Sequence, residues 1–253
     1  MLRFALLVSL CASAATPFAS PTIQPAPTTL PARIILVGDS TMATRTGYGD
    51  ALCAHFQSNV ACLNHARGGR STGSFRAEGL WDKVQEQLRD SAPFSVTYVL
   101  IQFGHNDQPG KPGRSTDLVT QYPGNLARYV TEARALGAVP ILVTPLTRRS
   151  FRGRWLHDDL APWSATVRRI AREQQADLLD LNVHSAAAVQ AMGTAQADTL
   201  AQEPPPKEAL IDGRKSTFDY THVGPKGAEL FSGMVVKDLV RLRPALAASL
   251  RQP

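Results

Sequence analysis

The chain has 253 residues, 43% of them hydrophobic and 19% charged, and a formal net charge of +6. That length and apolar content suit a single α/β domain with a substantial core and exclude a disordered chain. The 18 glycines and 18 prolines follow no period, which excludes a collagen-like repeat. No apolar run is long enough for a membrane-spanning helix. The positive balance suits nucleic acid, anionic lipid or an acidic polymer as partner and does not choose among them.

The N-terminus points to export. Arg3 precedes an apolar run from Phe4 to Cys11, and Ala12-Ser13-Ala14 follows. A basic start, a short greasy core and an Ala-x-Ala end read as a secretory signal peptide over residues 1–14. A lipoprotein reading through Cys11 is weaker, because the large Leu10 stands where a small residue is expected. Residues 15–32 carry Pro17, Pro21, Pro25, Pro27 and Pro31 among Thr, Ser and Ala, the composition of a flexible linker. The folded domain is therefore expected over residues 33–253, in a secreted or periplasmic protein. Cleavage removes Arg3 and Cys11, leaving a charge of about +5 and the pair Cys53 and Cys62. In an oxidising compartment such a pair suggests one disulfide closing a short loop, the alternative being two buried thiols.

From Arg33 the elements alternate. Arg33–Val37 is a continuous apolar run ending at Gly38 and reads as a buried parallel strand. A helix over Tyr48–Gln57 and a short strand over Val60–Asn64 follow. Ala77–Arg89 spaces Leu80, Val84 and Leu88 as a helix does. Val96–Ile101 is a β-branched strand. The helix Tyr122–Leu136 stops at Gly137, a C-cap signal. Val139–Thr144 is a strand, Ala161–Gln174 a helix and Leu178–Leu181 a strand. Glu203-Pro204-Pro205-Pro206 reads as a surface loop. The last helix opens at Pro225, a residue suited to a first turn. Strands alternating with helices give a parallel sheet covered on both faces, with no second domain and no internal repeat.

Open sheets of this kind bind ligands at the carboxyl ends of their strands, and the polar blocks fall there. The first strand ends in Gly38-Asp39-Ser40-Thr41, and the second runs into Asn64-His65-Ala66-Arg67-Gly68-Gly69-Arg70-Ser71. The third ends in Gly104-His105-Asn106-Asp107, and Asp219-Tyr220-Thr221-His222 comes late. These are the parts of a serine hydrolase. A serine hydroxyl needs a base to take its proton, and neutral His222 suits that role. Asp219, three residues earlier, can bond one ring nitrogen and leave the other for Ser40. The backbone N–H groups of Ser40 and Gly69 and the Asn106 amide can stabilise the oxyanion.

The four blocks in this order resemble those of the SGNH (GDSL) hydrolases, and most closely the rhamnogalacturonan acetylesterase type of carbohydrate esterase. The resemblance extends more weakly through Thr144–Arg149 and Asp180-Leu181-Asn182, and covers roughly Arg33 to Val240. It implies a three-layer α/β/α sandwich with a five-stranded, flavodoxin-like parallel sheet, and no cofactor. It assigns Ser40 as nucleophile, Gly69 and Asn106 to the oxyanion hole, and Asp219 and His222 as acid and base.

Each assignment has a rival. Gly69-Arg70-Ser71-Thr72-Gly73 matches the nucleophile elbow of α/β-hydrolases. Only one strand precedes the strand that leads into that block, whereas the elbow normally sits deeper in its sheet, so Ser71 reads as a pocket-lining or structural residue, with Arg70 beside it as a candidate for substrate binding. His55 reads as a packing residue and His105 as a loop brace. His65, His157 and His184 lack a carboxylate spaced as Asp219 is from His222. His157-Asp158-Asp159 imitates a metal site but reads better as a solvated loop, and no metal is expected. Asp39 and Asp107 read as strand-end residues that bond nearby backbone N–H groups.

Arg148, Arg149, Arg152 and Arg154, with Phe151 and Trp155, form a basic and aromatic stretch. It reads either as a solvated loop or as a substrate wall in which rings stack on sugars and guanidinium forks pair with carboxylates. A galacturonate polymer is a polyanion that a basic protein attracts. The resulting expectation is a serine esterase that removes O-acetyl groups from acetylated polysaccharide or oligosaccharide, most of all rhamnogalacturonan in pectin. Acetylated xylan, lipid or thioester substrates, and an inactive carbohydrate-binding module, are the alternatives. Nucleic acid is not an expected partner of an exported chain.

Overall fold

The computed structural model describes residues 30–203 and 218–252. The expected signal peptide, most of the linker and Pro204-Pro205-Pro206 lie outside them.

Five parallel strands form the sheet: β1 (Ala32–Gly38), β2 (Val60–Asn64), β3 (Val96–Gln102), β4 (Val139–Val143) and, after a two-stranded hairpin, β7 (Asp177–Leu179). The hairpin strands are β5 (Phe151–Arg152) and β6 (Trp155–Leu156). The order across the sheet is β2-β1-β3-β4-β7. The chain steps from β1 outward to β2 and returns on the other side of β1 as β3. The two connections leave β1 in opposite directions, and this switch point opens a crevice at the carboxyl ends of β1 and β3.

Successive side chains of β1 point to opposite faces, so its continuous apolar run feeds two cores. Ile34 and Leu36 pack against α1 (Gly49–Ala54), α6 (Leu181–Asp198) and α7 (Pro225–Leu242), through residues such as Leu52, Val189, Phe231 and Leu239. Ile35 and Val37 face α2 (Thr72–Ala77), α3 (Leu80–Arg89), α4 (Gln121–Ala135) and α5 (Ala161–Glu173), meeting Phe75, Val84, Tyr129 and Ile170. Each of these fully buried aliphatic side chains contributes about 1.5–3 kcal/mol. Helices therefore cover both faces of the expected five-stranded parallel sheet. Gly38 lets β1 and β3 approach, because a Cβ there would stand 2.7 Å from the Gln102 carbonyl oxygen. Cys53 and Cys62 are joined by a disulfide that ties α1 to β2. Among the described residues no helix is long and apolar enough to cross a membrane.

Some elements depart from the sequence reading. The helix expected over Ala77–Arg89 begins only at Leu80: Ala77 closes α2, a helix the sequence reading does not foresee, and Gly79 between them has a left-handed φ of +70°. The strand expected to reach Leu181 stops at Leu179, and Leu181 begins α6. α6 carries no expectation because its Ala-rich sequence has no apolar stripe, and Gly193 kinks it. The β5–β6 hairpin carries part of the basic stretch, and its two-residue strands are too short to leave a periodic signal.

Candidate active site

Ser40 lies one residue beyond the Asp39 that follows β1, and is 8% exposed. Asp39 builds the turn around it. Its Oδ1 accepts from the Thr41 N–H at 2.9 Å and the Thr41 hydroxyl at 2.8 Å, and its carbonyl accepts from the N–H groups of Met42 and Ala43. The network runs deeper. Tyr48 Oη donates to Gln102 Oε1 at 2.5 Å, and Gln102 Nε2 donates to Thr41 Oγ1 at 2.7 Å. On its other side Asp39 Oδ2 lies 3.3 Å from His105 Nδ1. Burial pushes the Asp39 carboxyl up, but His105 and the Thr41 hydrogen bonds outweigh it and hold the group below its ordinary range. Asp39 is thus a buried brace that fixes the serine turn.

The loop after β2 brings the donors. Gly69 adopts φ +78°, a left-handed conformation that favours glycine. Its neighbour Gly68 is close to the serine: a Cβ on Gly68 would be 3.7 Å from the Ser40 Cβ. Among the described residues neither the Ser40 N–H nor the Gly69 N–H carries a hydrogen bond, so both are free to donate. Asn106 Nδ2 donates to the Arg70 carbonyl at 3.1 Å, which fixes the amide and leaves its second N–H available. Arg114 stands over this corner, its Nη1 3.5 Å from Asn106 Oδ1. Asp107 accepts from the Thr72 N–H at 3.0 Å, the Thr72 hydroxyl at 2.5 Å and the Thr116 hydroxyl at 2.8 Å. Burial nevertheless pushes its pKa up to about 6. Its role is to dock the start of α2 on the β3 loop, a longer-range brace than the local bond expected of a strand-end aspartate.

The late turn brings together the expected acid–base residues, a carboxylate and an imidazole. Asp219 Oδ2 is 2.7 Å from His222 Nδ1, while Oδ1 accepts from the N–H groups of Thr221 at 2.8 Å and His222 at 2.9 Å. Partial burial raises the Asp219 carboxyl, but these backbone bonds and the imidazole pull it below its ordinary value. His222 Nε2 makes no hydrogen bond among the described residues. The turn is led to the serine by Val223, whose N–H bonds the Thr46 carbonyl at 3.0 Å, while the Thr46 hydroxyl bonds the Ser40 carbonyl at 2.7 Å. Ser40 Oγ and His222 Nε2 are not hydrogen-bonded to each other in this structure. Such contacts commonly tighten only when substrate is bound.

Two of the expected substrate-binding residues are corrected. Arg149 is 0% exposed and faces inward, donating through Nη2 to the carbonyls of Asp219 at 2.7 Å and His222 at 2.8 Å. It holds the acid–base turn from behind. Ser71 is also fully buried. Its hydroxyl accepts from the Ser74 N–H at 3.1 Å and the Ser74 hydroxyl accepts from the Ser71 N–H at 2.9 Å, a reciprocal cap on α2. Ser71 is therefore a buried helix cap, unlike the exposed serine that a nucleophile elbow presents.

The other expected substrate residues are placed as follows. Arg148 donates to Thr221 Oγ1 at 3.1 Å and pairs with Asp159. Arg70 pairs with Glu78 at 2.8 Å. Arg152 and Trp155 stay exposed on the hairpin, with the Arg154 guanidinium 4.8 Å from the Trp155 ring centre. The hairpin docks on α6, the Leu156 N–H bonding Gln190 Oε1 at 2.8 Å.

The histidine rivals also resolve. His55 contacts Ser232 at 3.1 Å and His65 contacts Gln87 at 2.8 Å. Sequence spacing finds no carboxylate for His184, yet the fold supplies Asp238 from α7 at 2.6 Å. Asp158 and Asp159, beside His157, turn to Leu160, Arg148 and Gln108. Among the described residues no three His, Cys, Asp or Glu side chains gather as metal ligands would.

A flavodoxin-like sheet with serine, glycine, asparagine and an Asp-x-x-His turn at its carboxyl edge defines a class of hydrolase. The profile of the GDSL-like Lipase/Acylhydrolase family matches residues 36–230. The chain belongs to this family and is a carboxylic ester hydrolase. It is 32% identical over 223 residues to a protein of Bacillus subtilis (strain 168) named rhamnogalacturonan acetylesterase RhgT, covering 84% of this chain and 91% of that one. It is 29% identical over 224 residues to probable rhamnogalacturonan acetylesterase YesY of the same organism, covering 86% and 96%. Among solved structures, protein YxiM of Bacillus subtilis shares the fold with a TM-score of 0.65 at 24% identity, across 85% of this chain and 57% of that longer one.

Proposed function

We propose that this protein removes O-acetyl groups from plant cell-wall polysaccharide, with rhamnogalacturonan as the principal substrate, through an acyl-enzyme on Ser40. The observation that carries the chemistry is the Asp219–His222 pair at 2.7 Å, with Nε2 of the same ring making no hydrogen bond among the described residues. The likeness to the two Bacillus proteins supports the choice of substrate.

In this mechanism Ser40 Oγ attacks the acetyl carbonyl carbon and its proton passes to His222 Nε2. Asp219 holds the ring by Nδ1 and stabilises the imidazolium that forms. The carbonyl oxygen becomes an anion facing the N–H groups of Ser40 and Gly69 and the free N–H of Asn106. Collapse breaks the bond to the sugar oxygen, which leaves with the proton from His222. Water then attacks the acetyl-serine carbonyl as His222 takes its proton; the bond to Ser40 Oγ breaks, His222 returns the proton to Oγ, and acetate is released. The Cys53–Cys62 disulfide and the apolar N-terminus with its basic Arg3 support action outside the cytoplasm.

Acetate release from acetylated rhamnogalacturonan, acetylated xylan and p-nitrophenyl acetate tests the reading. A kcat/KM on the pectic polymer well above that on xylan is the expected result. A preference for xylan, or release from the small ester alone, would overturn the substrate.

A further inference from the structure

A cleft of about 830 Å³ opens beside Ser40, on the β2 side of the switch point. Its walls come from the loop after β1, the loop after β2 and the start of α3, and include Thr44, Arg45, Asn64, Arg67, Gly68 and Lys83. Arg45, Arg67 and Lys83 bring three cations to these walls, all three exposed. Among the described residues no carboxylate lines the cleft, and none pairs with Arg45, Arg67 or Lys83. Elsewhere Arg70, Arg76, Arg148, Arg168 and Arg243 each meet an acid. The carboxylate behind the cleft wall, Asp50, already accepts from Asn64 at 2.7 Å and Thr44 at 3.2 Å. Like charges gathered in one concavity repel each other and focus a positive field that an anionic ligand relieves.

The backbone adds a second observation. Arg45 has φ +71°, the left-handed conformation that glycine adopts freely and a side chain disfavours. The Gln202 side chain, also in the cleft wall, donates to the Arg45 carbonyl and so braces that conformation. An arginine held where glycine would be easier points to a use for its charge. The position of the cleft suggests which. Gly68 belongs both to the cleft wall and to the surroundings of Ser40 Cβ, and Thr46, another wall residue, bonds the Ser40 carbonyl. A polymer with its acetylated sugar on Ser40 can continue over Gly68 into the cleft.

We propose that Arg45, Arg67 and Lys83 form a subsite for the carboxylates of uronate residues that flank the acetylated sugar. The proposal rests on the pectic reading above and adds to it the groups that select an acidic polymer. It also moves that selectivity away from the 148–155 stretch, where Arg148 is paired and Arg149 is buried.

The test compares acetylated rhamnogalacturonan with the same polymer after its carboxyl groups are reduced to alcohols, which keeps the skeleton and removes the charge. The variants are Arg45→Gly, which suits the left-handed backbone, and the double change Arg45→Gly with Arg67→Gln. The readout is the ratio of kcat/KM on the acidic form to that on the reduced form. The wild-type ratio should exceed one and decline with salt. It should fall about tenfold in the double variant, as expected for losing charge-assisted contacts to carboxylate. A wild-type preference for the acidic polymer that survives the double change at unaltered Tm would overturn the subsite and place selectivity elsewhere. Equal rates on the two forms in wild type would overturn it as well. No acetate from either polymer, with p-nitrophenyl acetate still hydrolysed, would overturn the pectic substrate and the subsite with it.

Discussion

Replacing Arg149 with Met separates two roles that its position in the sequence does not. Between Arg148 and Ser150 it reads as part of a substrate-facing stretch, but the folded chain buries it fully behind the Asp219–His222 turn. Its Nη2 bonds to Asp219 and His222 carbonyls are charge-assisted, at roughly 1.5–3 kcal/mol each. The cost of keeping a guanidinium dry offsets part of this, and burial already lowers the pKa of the group. Met fills much of the alkyl volume but leaves both carbonyls without the donor. The net loss should be about 2–4 kcal/mol, or a fall in Tm of roughly 5–15 °C for a chain this size. The larger effect is geometric. With the turn free to shift, the His222 ring is no longer held for the proton transfer proposed from Ser40, and misplacement by about 1 Å can cost 10²-fold in rate. The assay is kcat per folded molecule, measured well below Tm, on p-nitrophenyl acetate and on acetylated polymer. Both rates should fall by about the same factor with KM little changed, and Arg149→Lys should recover part of the loss. A rise in KM confined to the polymer would refute the reasoning and return Arg149 to the substrate wall. A lowered Tm with unchanged kcat would make it a stability residue only.

Ser40→Ala should abolish ester hydrolysis with the fold intact, whereas Ser71→Ala should retain activity and lose about 1 kcal/mol of stability by denaturant melt, the worth of a helix cap. Asn106→Ala should lower kcat by ~10²–10³ with little change in KM, and a pure KM effect would make it a substrate-binding residue. Replacing Cys53 and Cys62 with Ser should cost about 2–3 kcal/mol in the same melts, the chain-entropy value for a short loop, with unchanged kcat on the small ester. Asp107 titrates near 6 when folded against an ordinary 3.8, so the folded state holds the proton more tightly. Its contribution to stability should therefore fall as pH rises from about 4 to about 6, by roughly 3 kcal/mol in all. Tm against pH for Asp107→Asn, compared with wild type, should lack that component, and parallel curves would contradict it.

What the sequence reveals here follows the range of the interactions involved. β1 and β3 are legible because runs of apolar residues, Ile34–Val37 and Tyr98–Ile101, are buried on both faces, and the start of α7 is legible because Pro225 marks it. The Asp219–His222 pair is legible because both partners lie in one turn. α6 is not, since an Ala-rich helix leaves no stripe to count. The inward turn of Arg149 is not, because its partners lie 70 and 73 residues away. The cationic cleft is hidden for the same reason: Arg45, Arg67 and Lys83 come from three separate segments. The arginines adjacent in sequence, by contrast, scatter to a buried brace, an ion pair and a hairpin surface.

The three His–Asp pairs show where spacing stops being decisive. His105 with Asp39, His184 with Asp238 and His222 with Asp219 have separations of 3.3, 2.6 and 2.7 Å. Distance alone does not rank them. His105 is 2% exposed and shares its carboxylate with the serine turn, so no reactant reaches its ring. His184 borders a different cleft, formed with Leu178, Asp180 and Arg241, and Asp238 there also faces Arg241 at 3.3 Å. Only His222 combines a carboxylate held by two backbone donors, a ring nitrogen free of partners and a backbone route through Thr46 to Ser40. A base that must accept a proton, turn and return it needs access as well as a partner, and of the three His222 best meets that requirement of the proposed mechanism.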